Sequence, residues 1–224
     1  MRLALCATGR SEEHLCDWQG HSLNREALAD FQRLQQGAQA DGIDLRIASA
    51  FRSFSRQAMI WNNKYQGVRP VFDAQQQVVD LTSLSPLDRL HAIMLYSALP
   101  GASRHHFGSD FDVWDPSVVA EDYQLQLSPD EYADTGPFAN LNLWLREHLQ
   151  EFGFYRPYLK YQGGVAAEPW HISHIASAET LQNWQNPSTI ADALIESEVV
   201  GKEVIIAHLD ELYERYVLTL CDPE

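Results

Sequence analysis

Thiols are scarce in this chain: Cys6, Cys16 and Cys221 are three of 224 residues, far apart and in no metal-ligand spacing. Their odd number argues against a disulfide framework and predicts free thiols in a reducing compartment. Positive charge is also in short supply, with 16 Lys and Arg against 31 Asp and Glu, a formal net charge of -15 and a pI near 4.9. Such a surface disfavours nonspecific binding to nucleic acid or to anionic lipid. No apolar run approaches the roughly 18 residues of a membrane span. Met1 to Ala7 is mildly apolar, but Thr8-Gly9-Arg10-Ser11-Glu12-Glu13 interrupts it before an ordinary h-region develops. A soluble protein is expected, cytoplasmic, or periplasmic if a leader peptide precedes this sequence. Internal repeats, low-complexity tracts and linkers rich in Gly, Ser or Pro are missing too. One α+β domain over residues 1–224 is therefore expected.

Hydrophobic residues make up 45% of the chain and aromatics 11%, enough for a full-sized core. The spacing predicts a helix over 24–40, capped by Asn24, with Leu28, Phe31, Leu34 and Ala38 inward and Asp41-Gly42 ending it. Leu45 to Ser49 reads as a strand, with Arg52 and Ser53 at its end. Further helices are expected over Ser55–Tyr65, Pro86–Leu99, Leu141–Glu151, 189–197 and 201–219. Ser53 or Ser55 caps the first of these. Ser83 or Ser85 caps the second, with Pro86 in its first turn. Phe111–Trp114 reads as a buried strand and Pro169–Ile172 as part of a return strand. Residues 115–137 hold three prolines and no long periodic run, so they are expected to wander near a cleft. The architecture expected is a small antiparallel sheet carrying the functional site, packed with several helices.

Two segments carry the chemistry. The first is Ser103-Arg104-His105-His106-Phe107-Gly108-Ser109-Asp110-Phe111-Asp112, the second Glu168-Pro169-Trp170-His171. His105 and Asp112 lie seven positions apart, so they are not an i,i+4 helical pair. A turn at Gly108 followed by a strand can fold both to one point, and His171 can join them from a neighbouring strand. Two imidazoles and one carboxylate leave the fourth position of a tetrahedral Zn2+ open for water. Glu168 can serve as the general base beside it, and Arg52 can face an anionic group. Each residue alone has an ordinary reading: His105 as a surface histidine, Asp112 as a turn residue or half of an ion pair. Asp112 sits between Phe111 and Val113, however, and His171 between Trp170 and Ile172, and buried polar groups there need strong partners. His106 is out of phase with His105. His174 can support the site or help to bind substrate. One zinc is expected, because no second complete cluster is visible.

At these residues the chain resembles the D-alanyl-D-alanine carboxypeptidase family of zinc peptidases, which includes VanY-type and L,D-carboxypeptidases. Ser103, His105, Gly108 and Asp112 match the pattern Ser-x-His-x-x-Gly-x-Ala-x-Asp, and Glu168, Trp170 and His171 match Glu-x-Trp-His. Pro100-Gly101 also matches. Ser49-Ala50-Phe51-Arg52-Ser53 with Gln57 resembles Ser-Gly-Tyr-Arg-Ser-x-x-x-Gln. The likeness covers about residues 42–175. It implies that His105, Asp112 and His171 are the zinc ligands and that Glu168 is the catalytic base and proton shuttle. It implies that Arg52 steadies the scissile carbonyl and its oxyanion, and that Arg52, Ser103 and Gln57 bind the terminal residue. Two departures stand out: Asp110 replaces the usual alanine, and Ala50-Phe51 replaces Gly-Tyr. The implied function is removal of a C-terminal D-amino acid from peptidoglycan-type peptides, with an L,D-carboxypeptidase favoured over a VanY-type D,D-carboxypeptidase. A noncatalytic peptide-binding protein with a relic zinc site is the rival from another class. Intact Glu168 opposes it, because binding alone needs no base. Residues 176–224 lie beyond the motifs and are expected to form helices covering a hydrophobic sheet face.

Overall fold

The computed structural model describes residues 2–223. A short helix α1 (Arg2–Ala7) leads into a hairpin, β1 (Leu15–Trp18) and β2 (His21–Asn24). Gln19 and Gly20 make its turn, both at positive φ (53° and 83°), the geometry that matches the twist of a two-residue hairpin. The first long helix, α2 (Leu28–Ala40), begins later than expected because Asn24 closes β2 instead of capping a helix. Phe31, Leu34 and Ala38 do turn inward from it. Strand β3 (Arg46–Ser49) and α3 (Phe54–Tyr65) follow, the helix capped by Ser53 Oγ accepting from the Arg56 amide. Helix α4 (Pro86–Met94) is capped by Ser85 and stops five residues short of the expected Leu99.

Strand β4 (Asp110–Trp114) precedes the irregular stretch, which holds two single-turn 3-10 helices at Pro116–Val118 and Pro129–Tyr132. Then come α5 (Ala139–His148), β5 (Phe154–Tyr155) and β6 (His171–His174). The C-terminal part is helical: α6 (Ile175–Gln182), α7 (Pro187–Ile195), α8 (Lys202–Ala207) and α9 (Leu209–Tyr213), which runs into a π-helical turn over Glu214–Leu218.

The main sheet is antiparallel throughout, in the order β3-β4-β6-β5. Alternation along its strands decides the layout. Phe111, Val113 and Ile172 point to one face, where Phe31, Leu34, Leu141, Leu145 and Phe154 close over them. Phe31 and Phe111 meet with ring centroids 4.8 Å apart. The opposite face carries polar side chains. Register puts Ser49 opposite Asp112 and Asp112 opposite His171, one row across three strands; Asp110 opposite Ser173 forms the next row.

The C-terminal helices do not cover the sheet as expected. Ile190, Leu194, Ile205, Leu209, Leu212 and Tyr216 pack instead on α3 and α4 through Trp61, Leu90, Ile93 and Met94, in a second hydrophobic cluster. The sheet's apolar face is already taken by α2 and α5, so the later helices bury the outer faces of α3 and α4.

Candidate metal centre

The site is built where the polar face of the sheet meets the turn before β4. Arg104 to Phe107 form one 3-10 turn, and Gly108, at φ 64°, ends it in the left-handed region. A Cβ there would strike Leu15 of the hairpin. The hairpin clasps the turn: the Asn24 amide donates to Gly108 O at 2.6 Å and Asn24 Nδ2 to Phe107 O at 3.2 Å. Three more hydrogen bonds lace the turn to residues 50–52. His105 Nδ1 donates to Ala50 O at 2.8 Å, the Arg52 amide to His105 O at 3.1 Å, and His106 Nδ1 to Arg52 O at 2.6 Å. His106 is therefore a buried brace, its Nε2 accepting from the Gly101 amide at 3.0 Å. Burial holds it neutral, with its pKa lowered to about 3.

His105 Nε2, Asp112 and His171 Nδ1 converge. One ligand atom from each lies within 4.8 Å of the others, and all three residues are buried. His105 Nε2 is 3.4 Å from Asp112 Oδ2, and His171 Nδ1 is 3.3 Å from Asp112 Oδ1. Burial alone would raise the Asp112 carboxyl, but His105 and His171 overcome it and hold it well below the usual carboxylate range. His171 Nδ1 is the telling atom. It is fully buried, has carboxylate oxygens at 3.3 and 3.4 Å from Asp112 and Glu168, and makes no hydrogen bond. Burial lowers the His171 pKa, yet the surrounding carboxylates raise it well above normal, the mark of a position that attracts positive charge. Two imidazole nitrogens and one carboxylate, directed at one point beside an open cleft, suit a single Zn2+ with a free coordination position.

The other ring nitrogen of His171 is held from behind. Nε2 lies 3.0 Å from Asp110 Oδ1, which also accepts from Arg104 Nε at 2.7 Å. Ser173 Oγ donates to Asp110 Oδ2 at 3.1 Å, and Arg104 continues to Ser173 and to Gln182 on α6. Asp110 is wholly buried, so it supports a ligand and does not line the cleft. Its alternation with Asp112 places it on the site face, but only the folded pairing reveals its partner. His174, one pleat away, faces the opposite side; its Nε2 pairs with Asp30 at 3.0 Å and its Nδ1 with Ser177 at 2.9 Å. It caps α6 and has no part in the site.

A cleft of about 680 Å3 opens in front of the three ligands. Its wall includes Arg52, Ser103, Glu168, Tyr158 and Trp170, with Gln126 to Pro129 from the irregular stretch along one side. Glu168 is set by a tight turn, its amide donating to Tyr158 O at 2.8 Å and its carbonyl accepting from the His171 amide at 3.0 Å. Arg52 reaches inward, donating from Nη2 to Ser49 Oγ at 3.0 Å and to Asp112 Oδ2 at 3.1 Å. Gln57, expected at the terminal-residue subsite, is not in the cleft wall. It is buried and donates to Ala98 O at 2.8 Å, steadying the segment that leads to Ser103. Lys64 and Arg69 line the cleft without having been singled out from the sequence. Lys64 lies seven residues after Gln57, two helical turns on, and that spacing was the available signal.

Comparison with known proteins agrees with this geometry. The family model for VanY, D-alanyl-D-alanine carboxypeptidase, matches residues 20–177. An uncharacterized protein of Haemophilus influenzae is 34% identical over 122 residues, covering 54% of this chain and 93% of that protein. A second uncharacterized protein of the same organism is 41% identical over 97 residues, covering 41% of this chain and 66% of its own length. The fold is similar to that of VanYB in complex with D-alanine-D-alanine, with a TM-score of 0.53, 20% identity, and coverage of 82% of this chain and 89% of that one. It is also similar to the vancomycin-resistance D,D-pentapeptidase VanY, solved as a mutant in complex with Zn(II), with a TM-score of 0.52, 20% identity, and coverage of 82% and 92%. The matched span takes in all three candidate ligands and Glu168, and the chain belongs to the VanY D-alanyl-D-alanine carboxypeptidase family of zinc metallopeptidases.

Proposed function

We propose that this protein removes a C-terminal D-alanine from peptidoglycan-type peptides. The observation that carries the reading is Glu168 Oε2, 3.4 Å from the orphaned His171 Nδ1 and open to the cleft. A carboxylate in that place is superfluous for binding and suited to moving protons. In this reading His105, Asp112 and His171 would hold zinc, which when bound would supply Lewis-acid chemistry to the scissile carbonyl and the attacking water. Glu168 takes the proton of that water and delivers it to the leaving amine. Arg52 donates to the oxygen on which charge develops, from a guanidinium already oriented by Ser49 and Asp112. Ser103 lines the cleft beside them and receives the terminal residue.

Cleavage of an L-centre–D-Ala bond is the preferred activity in this proposal, and it goes with a cytoplasmic location. A D,D activity there would consume wall precursors, so a D-Ala–D-Ala preference would go with the periplasm. Incubating zinc-loaded protein with matched tetrapeptide and pentapeptide, and measuring released D-Ala, tests both parts. Faster release from the tetrapeptide than from the pentapeptide is expected. Release from neither peptide refutes the carboxypeptidase reading, and faster release from the pentapeptide overturns the stereochemical choice.

A further inference from the structure

Lys64 stands on the last turn of α3 and enters the cleft wall with Arg52, Ser97, Ser103 and Glu168. Its Nζ donates to Ser97 Oγ at 2.6 Å. None of the ion pairs among the described residues includes it. Burial is the main influence on its charge and lowers its pKa to about 8, with Glu168 drawing the charge back and Arg52 and Arg69 opposing it. A half-buried ammonium facing one hydroxyl is costly unless an anion completes its surroundings. Nζ has three N–H groups and spends one on Ser97, while Ser97, acting as acceptor, keeps its own O–H free to donate.

A carboxypeptidase needs a donor for the terminal carboxylate. Besides Lys64 the cleft is lined by Arg52, Arg69 and Arg104, of which Arg104 is clamped on Asp110 and Arg69 shares the wall with Lys64. Arg52 is turned toward Ser49 and Asp112 at the metal end. Gln57 donates from behind to Ala98 O and does not itself line the cleft. We propose that Lys64, together with the Ser97 hydroxyl, binds the substrate's C-terminal carboxylate and so confers the preference for a free chain end. This rests on the carboxypeptidase reading. The same pair would hold any peptide that ends in a carboxylate, whatever the side chain of its last residue.

The test uses one peptide ending in D-Ala, as the free acid and as the C-terminal amide, with zinc-loaded wild type, Lys64→Met and Lys64→Arg. The wild type is expected to cleave the acid much faster. Lys64→Met is expected to lose about 10- to 100-fold in kcat/KM on the acid, mostly through KM, the size of a charge-assisted hydrogen bond. Its loss on the amide is expected to be much smaller than on the acid and its zinc content to match the wild type, and Lys64→Arg is expected to retain the acid preference. An unchanged acid-to-amide ratio in zinc-loaded Lys64→Met overturns the proposal and leaves Lys64 as a tie to Ser97. Equal wild-type rates on acid and amide remove the exopeptidase reading and this proposal with it, whereas a wild type inactive on both removes the carboxypeptidase reading itself. If Lys64→Met does not fold, Ser97→Ala takes its place: a reduced acid preference supports the subsite, and an unchanged one overturns it.

Discussion

Asp110 Oδ1 lies 3.0 Å from His171 Nε2, on the side of the ring away from Asp112. With the Nε2 proton held there, the Nδ1 lone pair is directed at the point where His105 and Asp112 converge. The arrangement is stiff because Arg104, itself buried, clamps the same carboxylate oxygen at 2.7 Å. Truncating Asp110 would leave Arg104 with neither counter-charge nor acceptor; Asp110→Asn also removes the charge but keeps an oxygen that can accept from Arg104, so it is the milder probe. It is expected to weaken zinc binding by about 10- to 100-fold while the fold persists. Competition with a chelator of known affinity, read beside circular dichroism, checks this; wild-type affinity would remove Asp110 from the metal's support.

Alanine at His105, Asp112 or His171 is expected to reduce zinc occupancy sharply and to abolish hydrolysis. Metal analysis of the three purified variants measures it. Full occupancy in all of them would show that the converging atoms are not the ligands.

Glu168→Gln is expected to keep metal and fold and to lose at least ~100-fold in the chemical step, the scale of general acid–base catalysis. Single-turnover rates at saturating peptide give the number. Turnover near that of the wild type, with contaminating enzyme excluded, would falsify the assignment of Glu168 as the base.

The Lys64 charge sets a pH dependence of definite sign. Its pKa is lowered from 10.5 to about 8 by burial, against the pull of Glu168 and with the push of Arg52 and Arg69. The cation is present below that value and lost above it. For the acid peptide, kcat/KM in the wild type is therefore expected to fall as pH rises through about 8, and the amide is expected to show no matching step. In Lys64→Arg the step should vanish, because guanidinium keeps its charge. Identical profiles for acid and amide would separate Lys64 from carboxylate recognition.

Gly108 is expected to tolerate no side chain. Its φ of 64° costs a residue with a Cβ about 1–2 kcal/mol, and the added atom meets Leu15. Gly108→Ala should lower the urea midpoint and weaken zinc binding together, since the same turn carries His105. A variant as stable as the wild type would mean that the hairpin yields freely.

Much of the site was legible in the sequence, and for particular physical reasons. The ordered spacing of His105, Gly108 and Asp112, then Glu168 and His171, is local information: a left-handed glycine ends a turn, and a strand follows. The caps of α3 and α4 were legible because Ser53 and Ser85 bond to amides three residues away. Pairing across long distances was not. The hairpin of β1 and β2 turns on Gln19-Gly20, a weaker signal than Asn-Gly, and its purpose lies in clasping residues 107 and 108. Asn24 read as a helix cap because capping chemistry and the bond to Phe107 O call for the same polar side chain. The helical character of the C-terminal region followed from its own periodicity. Which surface it would cover depended on α2 and α5 having already filled the apolar face of the sheet. Sequence thus determined which groups can bind metal and move protons. Tertiary structure decided that Gln57 turns away, that Lys64 enters the cleft, and that Asp110 stands behind His171. Each of those outcomes depends on strands and helices far apart in the chain meeting at one register.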